Sequence, residues 1–259
     1  MEPPEAAPRG RKLLVVGDSV ALGFGVQRNA RFGAILAGLL ARSGQPWSEV
    51  NGAFAGGTAC ITLALSKAAM TETHADLAVV ALFADDLMEA PRFWVNGHRV
   101  AFPDTVHMPA LRWIIERSYA ANTIWWGTET LLFNRAQSLS RDRETLKTFH
   151  DSLDQVREQG IASGTPVILT LLPPAGLPAC AKGATEPEVC ELGEELDRIA
   201  ARLDEWWPGW VDLRTVLNDG DYRLDVEKAD LRLDVHPNEA GHVRIANGLY
   251  PAASAAVAR

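Results

Sequence analysis

The stretch from Asp76 to Phe83 continues Leu77-Ala-Val-Val-Ala-Leu without a polar residue. A strand so uniformly apolar is buried on both faces, which requires a parallel sheet with helices packed on each side. Leu13 to Gly17 is a second such run, ending in the tight turn Gly17-Asp18-Ser19. Trp47–Asn51, Val167–Leu172 (stopped by Pro173-Pro174) and Trp210–Leu213 supply further strands. Between them, Phe32–Leu40 and Thr58–Met70 have helical spacing, with Ile35, Leu36, Leu39 and Leu40 able to share one face. Glu239–Ala258 is the closing helix, capped by Asn238. Strand and helix alternating in this way predict right-handed crossovers and an α/β fold.

The middle of the chain departs from that rhythm. Asn96-Gly97 between apolar flanks predicts a hairpin over Phe93–Phe102. Met108–Phe133 is an aromatic-rich helical stretch, and Arg141–Gln159 is a more polar helix ended by Gly160. Residues 91–140 therefore read as an insertion covering one end of the sheet, which either shapes an apolar substrate site or adds to the core. The proline-rich, charged start, residues 1–12, reads as a disordered lead-in to a single domain over 13–259.

The net charge of −8 argues against nucleic acid as a partner. No apolar run reaches the length of a membrane span, and the start lacks a secretory core. The expectation is a cytoplasmic protein, or an exported one if a leader has been removed. Cys180 and Cys190 lie in one loop-like stretch and either close a small disulfide loop or remain free thiols. No spacing of Cys or His suggests a metal, and no cofactor is called for.

In a parallel sheet the segments after each strand share one rim, where ligands bind. Ser19 follows the first strand, Asn51 ends the second, and Asp85 and Asp86 follow the third. His236 precedes the last helix in a loop able to reach the same rim. A serine needs a base to take its proton, and a histidine held by a carboxylate is the usual one. Gly-Asp-Ser alone is more often a turn with a capping serine than a catalytic site.

Taken together, four blocks resemble the SGNH, or GDSL, hydrolase family from Leu13 to about Ala246. Val16-Gly17-Asp18-Ser19 with Gly23-Phe24-Gly25-Val26 matches the first block, whose serine is the family nucleophile and whose backbone N–H binds the oxyanion. Val50-Asn51-Gly52-Ala53-Phe54-Ala55-Gly56 resembles the second, with Ala53 at the place of an oxyanion-hole glycine. Phe83-Ala84-Asp85-Asp86 departs from the family's Gly-x-Asn-Asp, with Asp85 in place of the asparagine donor. An ionised carboxylate cannot donate, so either Asp85 is protonated, or it turns away while another group donates, or the site is weak or repurposed. Asp234-Val235-His236-Pro237-Asn238 with Gly241-His242 resembles the last block, although the family spacing Asp-x-x-His would put the carboxylate at Leu233.

The resemblance implies a three-layer, flavodoxin-like parallel sheet of about five strands. It implies catalysis by Ser19, His236 and Asp234, with Asp230 in reserve, and an oxyanion hole from Ser19, Ala53 and Asp85. The implied reaction is hydrolysis of an ester or thioester through an acyl-serine, on an acylated small molecule, lipid or glycan. Acyl transfer through the same intermediate, or a binding protein on this fold, are the alternatives. Asp104-Thr-Val-His107 has the family spacing but lacks its context; His242 reads as structural, and His74, His98 and His150 as surface or packing residues.

Overall fold

The computed structural model describes residues 10–55, 58–83, 85–87, 92–95, 98–101, 113–114, 118, 121, 124, 143–173, 187–224 and 233–258. In chain order the strands are β1 (Arg11–Gly17), β2 (Trp47–Asn51), β3 (Leu77–Phe83), β4 (Arg92–Val95), β5 (His98–Ala101), β6 (Val167–Leu172), β7 (Val211–Asp212), β8 (Tyr222–Leu224) and β9 (Leu233–Pro237). The helices are α1 (Ser19–Leu22), α2 (Phe32–Ala41), α3 (Ala59–Thr73), α4 (Arg143–Ser163), α5 (Pro187–Trp206) and α6 (Glu239–Val257).

Five strands form one parallel sheet in the order β2-β1-β3-β6-β7. Strand periodicity divides its side chains between two cores. Leu14, Val16, Ala78, Val80 and Leu82 pack with Leu63 and Met70 of α3, Phe149 and Leu153 of α4, and Leu196 and Ile199 of α5. Leu13, Val15, Leu77, Val79 and Phe83 pack with Phe32 and Leu36 of α2 and with Ile245 and Leu249 of α6. The expected three-layer α/β/α architecture is therefore the observed one, and the reason is the two-faced burial of β1 and β3.

β2 and β6 have the expected bounds, β1 starts at Arg11, and β7 is a two-residue remnant of the Trp210–Leu213 expectation. Thr58 caps α3 by accepting from Ile61 N–H, and Asn238 caps α6 by accepting from Gly241 N–H. β4 pairs antiparallel with β5, as the hairpin expected over Phe93–Phe102 requires. α5, β8 and β9 were not expected from periodicity. His236 sits on β9, in an antiparallel pair with β8, and not in a loop. The aromatic stretch Met108–Phe133 lies almost wholly outside the described residues, as do Asp104 to His107, Asp230 and Cys180. Cys190 falls within α5, whose described side chains do not include it. Among the described residues no helix is long and apolar enough to cross a membrane, and no cluster of His, Cys, Asp or Glu could hold a metal ion.

Candidate active site

The first block builds its turn from local hydrogen bonds. Asp18 is buried, and its Oδ1 accepts from Val20 N–H at 2.9 Å, capping the single-turn helix α1. Ser19 is the first residue of α1, so its N–H has no intrahelical acceptor. Gly17 is required here because a Cβ would stand 2.5 Å from Ala21 Cβ and 2.6 Å from the Ala81 oxygen. Its absence lets α1 fold back onto β1 beside β3. Gly23, at φ 76°, ends the turn in the left-handed conformation that glycine adopts without strain.

β9 brings His236 to this turn from the far end of the chain. His236 Nε2 lies 2.9 Å from Ser19 Oγ, although 217 positions separate the two residues. Both are half-buried, so the pair is reachable from solvent. The Phe24 ring packs against the His236 ring at 4.7 Å, and the Arg223 guanidinium lies 6.0 Å from the Phe24 centroid. Ser19 Oγ has a second neighbour, Asp18 Oδ2, at 3.2 Å. Burial pushes the Asp18 carboxyl up to about 6, against the opposing pull of the Val20, Ala21 and Asp18 N–H groups and the Ser19 hydroxyl.

The second block lies alongside. Phe54 N–H donates to the Gly17 oxygen at 2.9 Å, tying the loop after β2 to the end of β1. Asn51 Nδ2 donates to the Ala21 oxygen at 2.9 Å, and Asn51 Oδ1 accepts from Ala53 N–H at 3.1 Å. The Ala53 donor expected at the oxyanion is thus engaged by its neighbour two residues back. It joins an oxyanion hole only by sharing or releasing that bond.

The third block begins a 3-10 turn, Asp85–Leu87, at the end of β3. The buried Asp86 carboxylate accepts from Phe83 N–H at 3.1 Å and closes the turn. Asp85 opens this turn just past the carboxyl end of β3, and its side chain lies outside what is described. The same holds for Asp234, whose backbone stands two residues before His236 on β9.

Around His236 the fold adds support that the motif did not reveal. Asn238 N–H donates to the Asp221 oxygen at 2.8 Å, and Asn238 Nδ2 donates to the Gly220 and Tyr222 oxygens. The buried Asp221 carboxylate accepts from Asn218 N–H at 2.9 Å and Arg244 Nε at 2.8 Å. His242 is fully buried and structural, as expected: its Nδ1 accepts from Phe32 N–H at 3.2 Å, and its ring stacks on Phe32. Burial, with the nearby Arg31 and His236 charges, pushes its pKa down to about 4. His74 caps α3 at φ 49°, and His150 packs on Trp206. The sequence reading overlooked Asp18, Phe24 and Asp221 as parts of the site. An acidic residue directly before the serine and an aromatic within the first block were the available signals for two of them; Asp221 gave none.

Three solved structures share the fold. A lipase from a goat rumen metagenome superposes with a TM-score of 0.53 at 15% identity, over 93% of this chain and 97% of that one. A putative lipolytic protein of the G-D-S-L family from Desulfitobacterium hafniense gives 0.52 at 14% identity, over 93% and 99%. A lipase/acylhydrolase from Enterococcus faecalis gives 0.51 at 14%, over 95% and 96%. No curated protein matches in sequence. A family model, however, aligns with residues 15–244, from the first strand to within the closing helix, and by that match the chain belongs to the GDSL-like lipase/acylhydrolase family.

Proposed function

We propose that the chain is a serine-dependent ester or thioester hydrolase that works through an acyl-serine. The observation that carries this is the 2.9 Å approach of His236 Nε2 to Ser19 Oγ. His236 takes the hydroxyl proton as Ser19 Oγ attacks the carbonyl carbon. His236 then returns the proton to the leaving group, and water activated by the same imidazole releases the acyl group. Asp234 orients the imidazole. It stands two positions before His236 on β9, the spacing of residues on one face of a strand.

The Ser19 N–H, at the start of α1, is the first oxyanion donor. Ala53 N–H is the second once it leaves Asn51 Oδ1, and Asp85 is the third, donating as a neutral acid. Two exposed aromatics lie nearby, Phe24 packed on the His236 ring and Phe54 bonded through its N–H to the Gly17 oxygen. Phe24 is 53% exposed and Phe54 is 42% exposed, one after β1 and one after β2. Aromatic surface at that position suits an apolar acyl chain or aryl group.

A fluorophosphonate probe tests the reading. Attack by Ser19 Oγ forms an O–P bond, the P–F bond breaks, fluoride leaves and His236 takes the proton. The native chain should label, while Ser19→Ala and His236→Ala should lose at least about 1000-fold in rate. An acyl-ester panel with water and alcohol acceptors then separates hydrolase from acyltransferase. A folded native chain that takes no label would favour a binding protein, a reading supported by the engaged Ala53 N–H and by an acid in place of the asparagine at position 85.

A further inference from the structure

Ser19 Oγ has two polar neighbours, Asp18 Oδ2 at 3.2 Å and His236 Nε2 at 2.9 Å. A hydroxyl carries one hydrogen and two acceptor lone pairs. To act as a base, His236 must present a bare Nε2 to the hydroxyl. If Asp18 is ionised as well, two acceptors compete for one hydrogen. The arrangement that satisfies both contacts then has Ser19 donating to Asp18 and an Nε2–H of His236 donating to Ser19. That arrangement is closed and unproductive. If Asp18 is protonated, it donates to Ser19 Oγ and the serine hydrogen turns to His236. Every contact is then satisfied with the proton on the path that the reaction needs.

We infer that Asp18 is a second proton-holding catalytic group, which acts as a neutral acid on Ser19 Oγ and, when ionised, withdraws the serine hydrogen from His236. The inference rests on Ser19 being the nucleophile.

Burial moves Asp18 toward the neutral form, and its hydrogen bonds oppose that move without cancelling it. Asp18 is 3% exposed, and the groups that hold its charge are the N–H groups of Val20, Ala21 and Asp18 itself and the Ser19 hydroxyl. Among the described residues, the charged or titratable side chains on neighbouring elements include Arg31, Arg223, Asp86 and His236. Arg31 packs against Gly23 and Arg223 against Gly25. Asp86 accepts from Phe83 N–H, and His236 on β9 reaches Asp18 by way of the Ser19 oxygen. A buried carboxylic acid held neutral so that it can donate a hydrogen bond is an established catalytic device.

The test is the pH dependence of the fluorophosphonate labelling rate from pH 5 to 9, in the native chain, Asp18→Asn, Asp85→Asn, the two combined, and Ser19→Ala. Asparagine keeps an acceptor for Val20 N–H and offers Ser19 Oγ an amide donor at every pH. The native rate should fall roughly tenfold per pH unit once Asp18 ionises, and the fall should persist in Asp85→Asn. Asp18→Asn combined with Asp85→Asn should keep its rate to high pH, exceeding Asp85→Asn alone by roughly 100-fold at pH 8. If Asp18→Asn does not fold, the falling limb in Asp85→Asn decides alone. An Asp85→Asn rate that stays level to pH 9, or a limb that survives the double variant, overturns the role of Asp18 and leaves the nucleophile standing. Labelling that survives Ser19→Ala, or a folded native chain that takes no label, overturns the nucleophile and this inference with it.

Discussion

The two halves of the reactive pair are held by different kinds of structure. Ser19 is placed by bonds that close within a few residues. Asp18 caps Val20, Leu22 N–H returns to the Asp18 oxygen, and Phe24 N–H returns to the Ser19 oxygen. His236 is placed by a scaffold gathered from afar. Asn238 bonds to Gly220, Asp221 and Tyr222, Asp221 bonds to Arg244, and the Tyr222 hydroxyl donates to the Pro173 oxygen at the end of β6. The proposed nucleophile is therefore placed by a short peptide folded against a strand, and the proposed base by elements gathered from across the chain. Damage to distant residues should reach the reaction through the histidine more readily than through the serine.

The largest expected effect on stability comes from removing a distant anchor on the histidine side. Asp221→Ala deletes a carboxylate that accepts from Asn218 N–H and from Arg244, and hydrogen bonds of this charge-assisted kind are worth about 1.5–3 kcal/mol each. Because Arg244 is half-exposed and regains water, the expected loss is about 3 kcal/mol by denaturant unfolding. Labelling of Ser19 should fall about tenfold under conditions where the variant remains folded, with kcat affected more than KM on an ester. A variant that loses stability but labels at the native rate would break the comparison, since His236 would then be held without its scaffold.

The same contrast explains what the sequence revealed. β1, β3 and β6 were legible because burial on both faces leaves an apolar run with a turn at its end, a signal within six or seven residues. Ser19 was legible because its placement is equally local. His236 was found through its flanking Pro-Asn and the helix cap, yet its setting was misread as a loop. β9 pairs with a three-residue strand, β8, that carries too few side chains to show a period. Asp221 was silent because an acidic residue in a turn is ordinary, and only the fold brings Asn238 and Arg244 to it. Ala53 shows the converse limit. Its position in the second block suggested a free N–H, but whether an N–H is free depends on the neighbouring Asn51 rotamer, which no motif records.

On the nucleophile's side, Asp85→Asn sharpens the comparison. An amide at this position donates to the oxyanion without needing a proton from solvent, and one such donor is worth roughly 100-fold in rate. The expected outcome is a gain of up to that size in ester turnover at neutral pH, with stability nearly unchanged. The high-pH decline should recede only as far as Asp18 allows, so Asp85→Asn combined with Asp18→Asn should carry activity further into alkali than either alone. A fall in turnover on Asp85→Asn would assign the carboxylate a role of its own, and the oxyanion would then depend on backbone donors.

The smallest effect concerns His242, which connects the two sides without touching the substrate. α2 has no side-chain cap of its own at Arg31, and His242 Nδ1 supplies the missing acceptor to Phe32 N–H from α6. That role requires a bare Nδ1, so a proton there would set two donors face to face in the core. Its folded pKa, about 4, lies below the ordinary imidazole value of 6.5. The unfolded chain therefore binds the extra proton first as pH falls, and stability is complete above about 6.5 and declines toward 4. Between pH 7 and pH 5 the expected loss from this group is about 2 kcal/mol. The raised pKa of Asp18 acts in the opposite sense, since the folded state holds that proton longer and loses stability as pH rises from the ordinary aspartate range toward 6. His242→Gln keeps an acceptor for Phe32 N–H but cannot titrate. Its unfolding free energy should flatten on the acid side, while the Asp18-dependent slope remains. If the native and His242→Gln chains lose stability in parallel from pH 7 to pH 5, His242 is not the group that acid opens, and the junction of α2 with α6 is held by its apolar contacts alone.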